Sequence, residues 1–310
     1  MNSLRDALAD YLTVRRALGY KLARDEKLLI QFLSHLERID ASTVTIENAL
    51  AWARLPATST DGHWWSRRLT VVRGFACYLH TLDPAVEVPP PDVLPQRACR
   101  ATPYLYSTGE IEALLAATAW LRTPLRRATY RTVLGLLVVT GMRVGEAIRA
   151  DVDDLDVEDD LLTVRQSKLG KSRQLPLHPT TTQALRDYLR LRNGSAPTPD
   201  TRALFVSTAG TRLLYCGVHE TFQRLVAMAG LRPRSASCRP RIHDTRHSFA
   251  VATVLDWYRD GGDVQARLPL LSTWLGHIHP GSTYWYLSAA PELLAMAAQR
   301  LERHDRGAAS

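Results

Sequence analysis

A mainly α-helical chain of two domains, the second carrying a small β-sheet, is what the sequence predicts, and three observations carry that expectation. At 310 residues the chain exceeds what one compact core usually organises, so two domains, each with its own apolar interior, are expected. Apolar residues recur at helical spacing, as in Leu4, Leu8, Tyr11 and Leu12 and again in Leu28, Leu29, Phe32, Leu33 and Leu36. A stretch with little periodicity and with Pro89, Pro90, Pro91, Pro95 and Pro103 separates two such regions. The predicted bounds are a helical bundle over residues 1–83, an extended connector over 84–106 and a second domain over 107–310.

Composition narrows the class. With 45% hydrophobic and 23% charged residues the chain is neither disordered nor fibrous. Lys and Arg outnumber Asp and Glu by 39 to 31, and the resulting +8 favours a polyanionic partner. The cysteines Cys77, Cys99, Cys216 and Cys238 lie far apart with no C-x-x-C, which argues for reduced thiols over a zinc knuckle or a disulfide framework. No basic start followed by an apolar core opens the chain, and no stretch has the length to span a bilayer, so a cytoplasmic protein is expected.

In the first region Gly19 and residues 40–43 break the helical pattern, Thr45 opens a third helix that ends before Pro56, and residues 63–82 form a fourth. Lys21, Arg24, Lys27, Arg67, Arg68 and Arg73 are the cations from which a phosphate-tracking face would be built. Trp64 and Trp65 are expected in the core. In the second region Ser107 and Glu110 form a capping box, and an apolar helix over 128–140 ends at Gly141. The acidic run from Asp151 to Asp160 reads as a solvated loop pointing away from nucleic acid. Two short strands, 161–164 and 174–177, bracket a turn with Lys168 and Lys171. Helices are then expected over 180–191, 215–229, 242–258, 267–275 and 291–303.

The chemistry lies in a scattered set of side chains. Arg143 and Glu146 stand three apart on a new helix, where a carboxylate fixes a guanidinium. His243 and Arg246 share a helical face, with His247 beside them. Downstream come Leu275, Gly276 and His277, and then Tyr284 and Tyr286. Guanidiniums hold phosphate oxygens in bidentate fashion, a phenolate attacks phosphorus, and a lysine protonates a leaving oxygen, so the set suits breakage of a phosphodiester without a metal. The spacing of His243 and His247 also fits a zinc helix, but a zinc hydrolase wants Glu after the first histidine and finds Asp244.

The stretch TGMRVGEA over residues 140–147, the H-x-x-R of His243 and Arg246, and the Leu-Gly-His of residues 275–277 together resemble the tyrosine recombinase (phage integrase-like) family. That resemblance implies an N-terminal core-binding, SAM-like bundle and a catalytic domain closing as a C-shaped clamp on DNA. It implies Arg143, Lys168, His243, Arg246 and His277 as the catalytic set, supported by Glu146. It selects Tyr286 as the nucleophile, because the family places its tyrosine nine residues after that histidine; Tyr284 then packs or positions. Lys171, Arg173 and Arg241 join the expected DNA contacts. The resemblance further implies a site-specific recombinase acting through a 3′-phosphotyrosyl link with no cofactor, metal or ATP. The partners are double-stranded DNA, three further copies in a homotetramer on DNA (monomeric or weakly associated when free), and related recombinases. The segment over residues 257–271, with that over 282–289, looks like the transposon-encoded members more than the chromosome-resolving ones. An accessory member that binds DNA without cutting it is the alternative within the same fold.

Overall fold

The computed structural model describes residues 3–55, 62–94, 101–165, 172–195, 201–277, 281, 283 and 284. The chain divides into a unit of residues 1–100 and a unit of residues 101–310.

In the first unit α1 (Leu4–Ala17) starts at a capping box in which Ser3 and Asp6 satisfy each other's backbone N–H. Gly19, at φ +87°, lets the chain turn into α2 (Ala23–Arg38). α3 (Ile46–Ala53) is capped by Thr45, whose hydroxyl accepts from the Asn48 amide, and α4 (Gly62–Leu82) closes the bundle. The i, i+3, i+4 stripes meet in one core, where Phe32 packs edge-on against Trp52 at 5.2 Å and Leu29, Leu33, Leu36, Val72 and Phe75 are buried. Each such side chain contributes about 1.5–3 kcal/mol by leaving water.

Two expectations fail here. Residues 84–94 are no extended connector. Val86 and Leu94 are buried in the bundle core, Glu87 accepts from the Ile46 amide at 2.7 Å, and Arg73 donates to the Pro89 and Pro90 carbonyls. Periodicity could not show this, because prolines pack without repeating. Trp65 does pack against the core, whereas Trp64 is 40% exposed.

In the second unit α5 (Thr108–Ala117) begins at the expected Ser107–Glu110 capping box. α6 (Pro124–Thr140) starts four residues earlier than its apolar pattern, because Thr123 caps it and Pro124 fills the first turn, where a missing N–H costs nothing. The short α7 (Val144–Arg149) follows at once. The sheet is antiparallel in the order β1 (Leu155–Asp156), β2 (Leu161–Val164), β3 (Arg173–Pro176), with Leu161 opposite Pro176 and Val164 opposite Arg173. Pro176 is tolerated because β3 is an edge strand. α8 (Pro179–Asn193), α9 (Tyr215–Met228), α10 (Asp244–Arg259) and α11 (Val264–Leu275) complete the described elements.

β1 was not legible in the acidic run, and the run is not simply solvated. Asp154 is buried and pairs with Arg165, while Asp151 and Asp153 pair with Arg212 and Arg202. α6 lies at the centre of this unit, packed by α8 and by α10. Leu134, Leu136, Leu137, Leu162, Leu175, Leu185, Phe205 and Phe222 fill the main core, and a second cluster joins α10 to α11. The predicted helix over 291–303 lies outside the described residues, as do Cys99, Lys168, Lys171 and Tyr286. No helix among the described residues is long and apolar enough to cross a membrane.

Candidate active site

The site forms where α6 ends. Gly141 terminates the helix at φ +62°, and a Cβ there would lie 2.4 Å from Cδ1 of Phe249 on α10, so only glycine allows the turn and the close approach together. The turn delivers Arg143 to the N-cap of α7. Glu146, three residues on, accepts from the Arg143 amide at 2.9 Å and from its Nη1 at 2.8 Å. The six-residue helix is thereby a bracket for one guanidinium.

Arg246 comes from the first turn of α10 and is 1% exposed. Its Nη1 donates to the Gly141 carbonyl at 2.9 Å and its Nη2 to the Leu275 carbonyl at 2.5 Å. Arg143 reaches the same loop, with Nη1 3.5 Å from the Leu275 carbonyl and Nη2 3.4 Å from that of Gly276. The two arginines, 103 residues apart in sequence, therefore converge on the turn at which α11 ends. Gly276 makes that turn at φ +64°, and His277 follows it. The Nε2 of His277 lies 2.9 Å from Arg246 Nη2, and its Nδ1 lies 2.9 Å from the Thr283 hydroxyl. A guanidinium only donates, so Nε2 is the acceptor and the ring proton sits on Nδ1, facing Thr283.

This electrostatic setting fixes charge states. Burial and then Arg246, Arg143 and Arg173 push His277 down to about 3. His243 is lowered to about 4 by crowding within the cleft, then by Arg246, Arg143 and Arg241. The residue itself is exposed to solvent, so the three guanidiniums are its firmer cause. Both imidazoles are neutral at pH 7. Below the ordinary value of 6.5 the unfolded chain takes protons at these positions that the folded chain refuses. Stability is expected to be lost as pH falls from 6.5 toward 4, with Arg143 and Arg246 keeping both rings unprotonated. Histidine NMR titration of the free protein checks this, with no ring shift from His243 or His277 above about pH 5.

Glu146 presents the opposite case. Burial raises its pKa, but hydrogen bonds and charge from Arg173, then from Arg143, outweigh burial and hold it at about 2. Arg173 Nη2 lies 2.8 Å from Glu146 Oε2. Glu146→Ala leaves two partly buried guanidiniums without their shared anion and is expected to cost about 3–5 kcal/mol, read from urea unfolding.

Among the expected catalytic residues, the structure brings Arg143, Glu146, Arg246 and His277 together and puts His243 at the N-cap of α10. Lys168 and Tyr286 belong to the undescribed residues. The expected DNA contacts divide. Lys21, Arg24 and Lys27 are exposed, and so is Arg67, although it pairs with Asp25. The other described ones are engaged by partners within the protein. Arg68 stacks on Trp52 at 3.8 Å and donates to the Leu55 carbonyl, and Arg73 holds the proline segment. Arg241 grips both oxygens of Asp244 at 2.9 Å, and Arg173 is spent on Glu146 and on the Trp274 carbonyl at 2.7 Å. A cation's charge points to the surface and reveals neither the remote partners of Arg68, Arg73 and Arg173 nor the hold of Asp244, three residues on, over Arg241. Asp244, so engaged, is also a poor zinc-hydrolase base. The sequence likewise gave no sign of Trp274, whose indole donates to the Thr140 carbonyl at 2.8 Å, or of Thr283.

Residues 107–292 match the model of the phage integrase family. The chain belongs to that family. Two relatives fit this assignment. The inferred integrase/recombinase y4rB of Sinorhizobium fredii is 43% identical, with 98% of each chain covered. Tyrosine recombinase XerC of Alcanivorax borkumensis is 29% identical over 80% of this chain and 75% of its own. Among solved structures, the Tn1549 transposon integrase in complex with a circular intermediate DNA superposes with a TM-score of 0.67 over 98% of this chain and 99% of that one, at 17% identity. As a phage integrase family member the chain is a tyrosine-type site-specific DNA recombinase, which breaks and rejoins strands. Arg143, Arg246 and His277, expected in the site from the motifs they sit in, converge around one turn.

Proposed function

We propose that this recombinase serves a mobile element, binding duplex DNA at the element's ends and exchanging strands through a covalent 3′-phosphotyrosyl intermediate. The observation that supports the reading is the convergence of Arg143, Arg246 and His277 on the Leu275–Gly276 turn, which gathers two cations and an imidazole in one place. A scissile phosphate placed there has its non-bridging oxygens held by the guanidiniums, which also offset the charge that builds on the pentacoordinate phosphorus. Tyr286 attacks phosphorus through its phenolic oxygen. Its proton passes to the neutral imidazole of His243, left unprotonated by the surrounding cations. The bond to the 5′ oxygen breaks and Lys168 supplies a proton to that oxygen. A 5′-hydroxyl of another strand later attacks the phosphotyrosine and regenerates the phenol. Bond energy stays in the adduct, so neither ATP nor a metal enters the balance.

Likeness of 98% of the chain to a transposon integrase supports the mobile-element role. Structural likeness to lambda integrase, solved as a tetramer on a Holliday junction, supports assembly of four copies on DNA. The test is a nicked duplex carrying candidate element ends, incubated with the full chain in EDTA and resolved on a denaturing gel. A DNA-linked protein band is expected. Cleavage that needs a divalent metal, or cleavage with no linked protein, contradicts the reading.

A further inference from the structure

We infer that Arg173 is a positioning residue of the recombinase, a strut from the sheet that holds the first arginine and the histidine turn in register with each other. The inference rests on the proposed function, since it concerns how that site is kept in place. Four contacts carry it. Arg173 is the first residue of β3, backbone-paired with Val164 and so fixed by the sheet. Its side chain is 10% exposed, and Nη1 and Nη2 reach the two oxygens of Glu146 at 3.3 and 2.8 Å. Glu146 uses the same two oxygens to hold Arg143. Nε of Arg173 donates to the Trp274 carbonyl at 2.7 Å, two peptide units before the turn that carries His277.

The fourth contact is steric. A Cβ at Gly276 would lie 2.8 Å from Nη1 of Arg173, so the turn rests directly against the guanidinium. One planar group thus contacts both the bracket of Arg143 and the loop of His277. Lysine has no such fork: an ammonium satisfies Glu146 or Trp274, but does not brace both in fixed geometry. The arrangement also explains why a carboxylate with 1% exposure stays ionised. Arg143 and Arg173 face it directly, His243 stands nearby, and Arg149, Asp154 and Arg165 share with it the small cavity behind α7. Arg173 is the largest of the charged influences on Glu146.

The test compares wild type, Arg173→Gln and Arg173→Lys by single-turnover formation of the DNA-linked protein between about pH 5 and pH 8.5, on one nicked duplex selected by the wild-type chain from a random library. Rate constants are read separately from amplitudes, because amplitude counts folded protein and the rate constant does not. Arg173→Gln is expected to lower the rate constant about 10²-fold at pH 8, the scale of a misplaced reacting group. It is also expected to add an acid limb that wild type lacks, because burial then raises Glu146 unopposed by Arg173. Arg173→Lys keeps the charge, so it loses about tenfold in rate and shows no acid limb. The proposal is overturned if the two variants have the same profile, or if only amplitude falls. Should Arg173→Gln yield no folded protein, Arg173→Lys decides alone: a wild-type rate constant refutes the strut. A wild-type chain that forms no linked protein on any selected duplex refutes the proposed function itself, and the strut with it.

Discussion

Arg246→Ala is expected to abolish measurable strand cleavage and to destabilise the second unit, because one side chain serves both ends. Arg246 is 1% exposed and is the largest of the fully buried side chains among the described residues. Its removal strips the donor from the Gly141 carbonyl, and it takes Nη2 away from both the Leu275 carbonyl and His277. Each buried acceptor left without a donor costs about 1–3 kcal/mol, so a loss of about 2–4 kcal/mol is expected in urea unfolding. For the reaction, loss of a preorganised donor at a developing oxyanion costs about 10²–10³-fold, and the displaced His277 adds to it. Arg246→Lys separates the two effects. It restores charge but not the fork, so stability recovers in part while cleavage stays low. Full activity in either variant would remove Arg246 from the site.

Tyr286→Phe is expected to eliminate the covalent adduct with no loss of stability or DNA binding, since it deletes one oxygen. A free phenol has a pKa near 10, so it is a poor nucleophile unless cations stabilise the phenolate as it forms. In the proposed reaction Arg143 and Arg246 provide that field, and the same two cations lower the pKa of His243 and His277. Tyr284→Phe is the matched control. Tyr284 is 51% exposed, and its replacement is expected to leave the rate of adduct formation within about twofold of wild type, in line with the small effects of surface changes.

Much of this was legible in the sequence, and the reasons are local. Capping at Ser107, the helix stop at Gly141 and the i, i+3 bracket of Arg143 and Glu146 all depend on neighbours a few residues away. Spacing therefore exposes them. The partners of Arg173, Arg68 and Arg73 lie far off in sequence or on the backbone, where periodicity carries no signal. The proline segment after α4 misled for a related reason: Val86 and Leu94 bury themselves singly, without the repeat that marks a packed element. Motif resemblance pointed to Arg143, Arg246 and His277, yet the backbone carbonyls of Gly141, Leu275 and Gly276 to which the two arginines reach are encoded by no side-chain pattern.

The most direct measurement is to trap the covalent complex on nicked duplex in EDTA, digest protein and DNA, and locate the nucleotide by tandem mass spectrometry. The account predicts a nucleotide joined through its 3′ phosphate to Tyr286, in a peptide that also contains an unmodified Tyr284. A nucleotide on Tyr284 or on any other side chain, or a 5′ linkage, would contradict it.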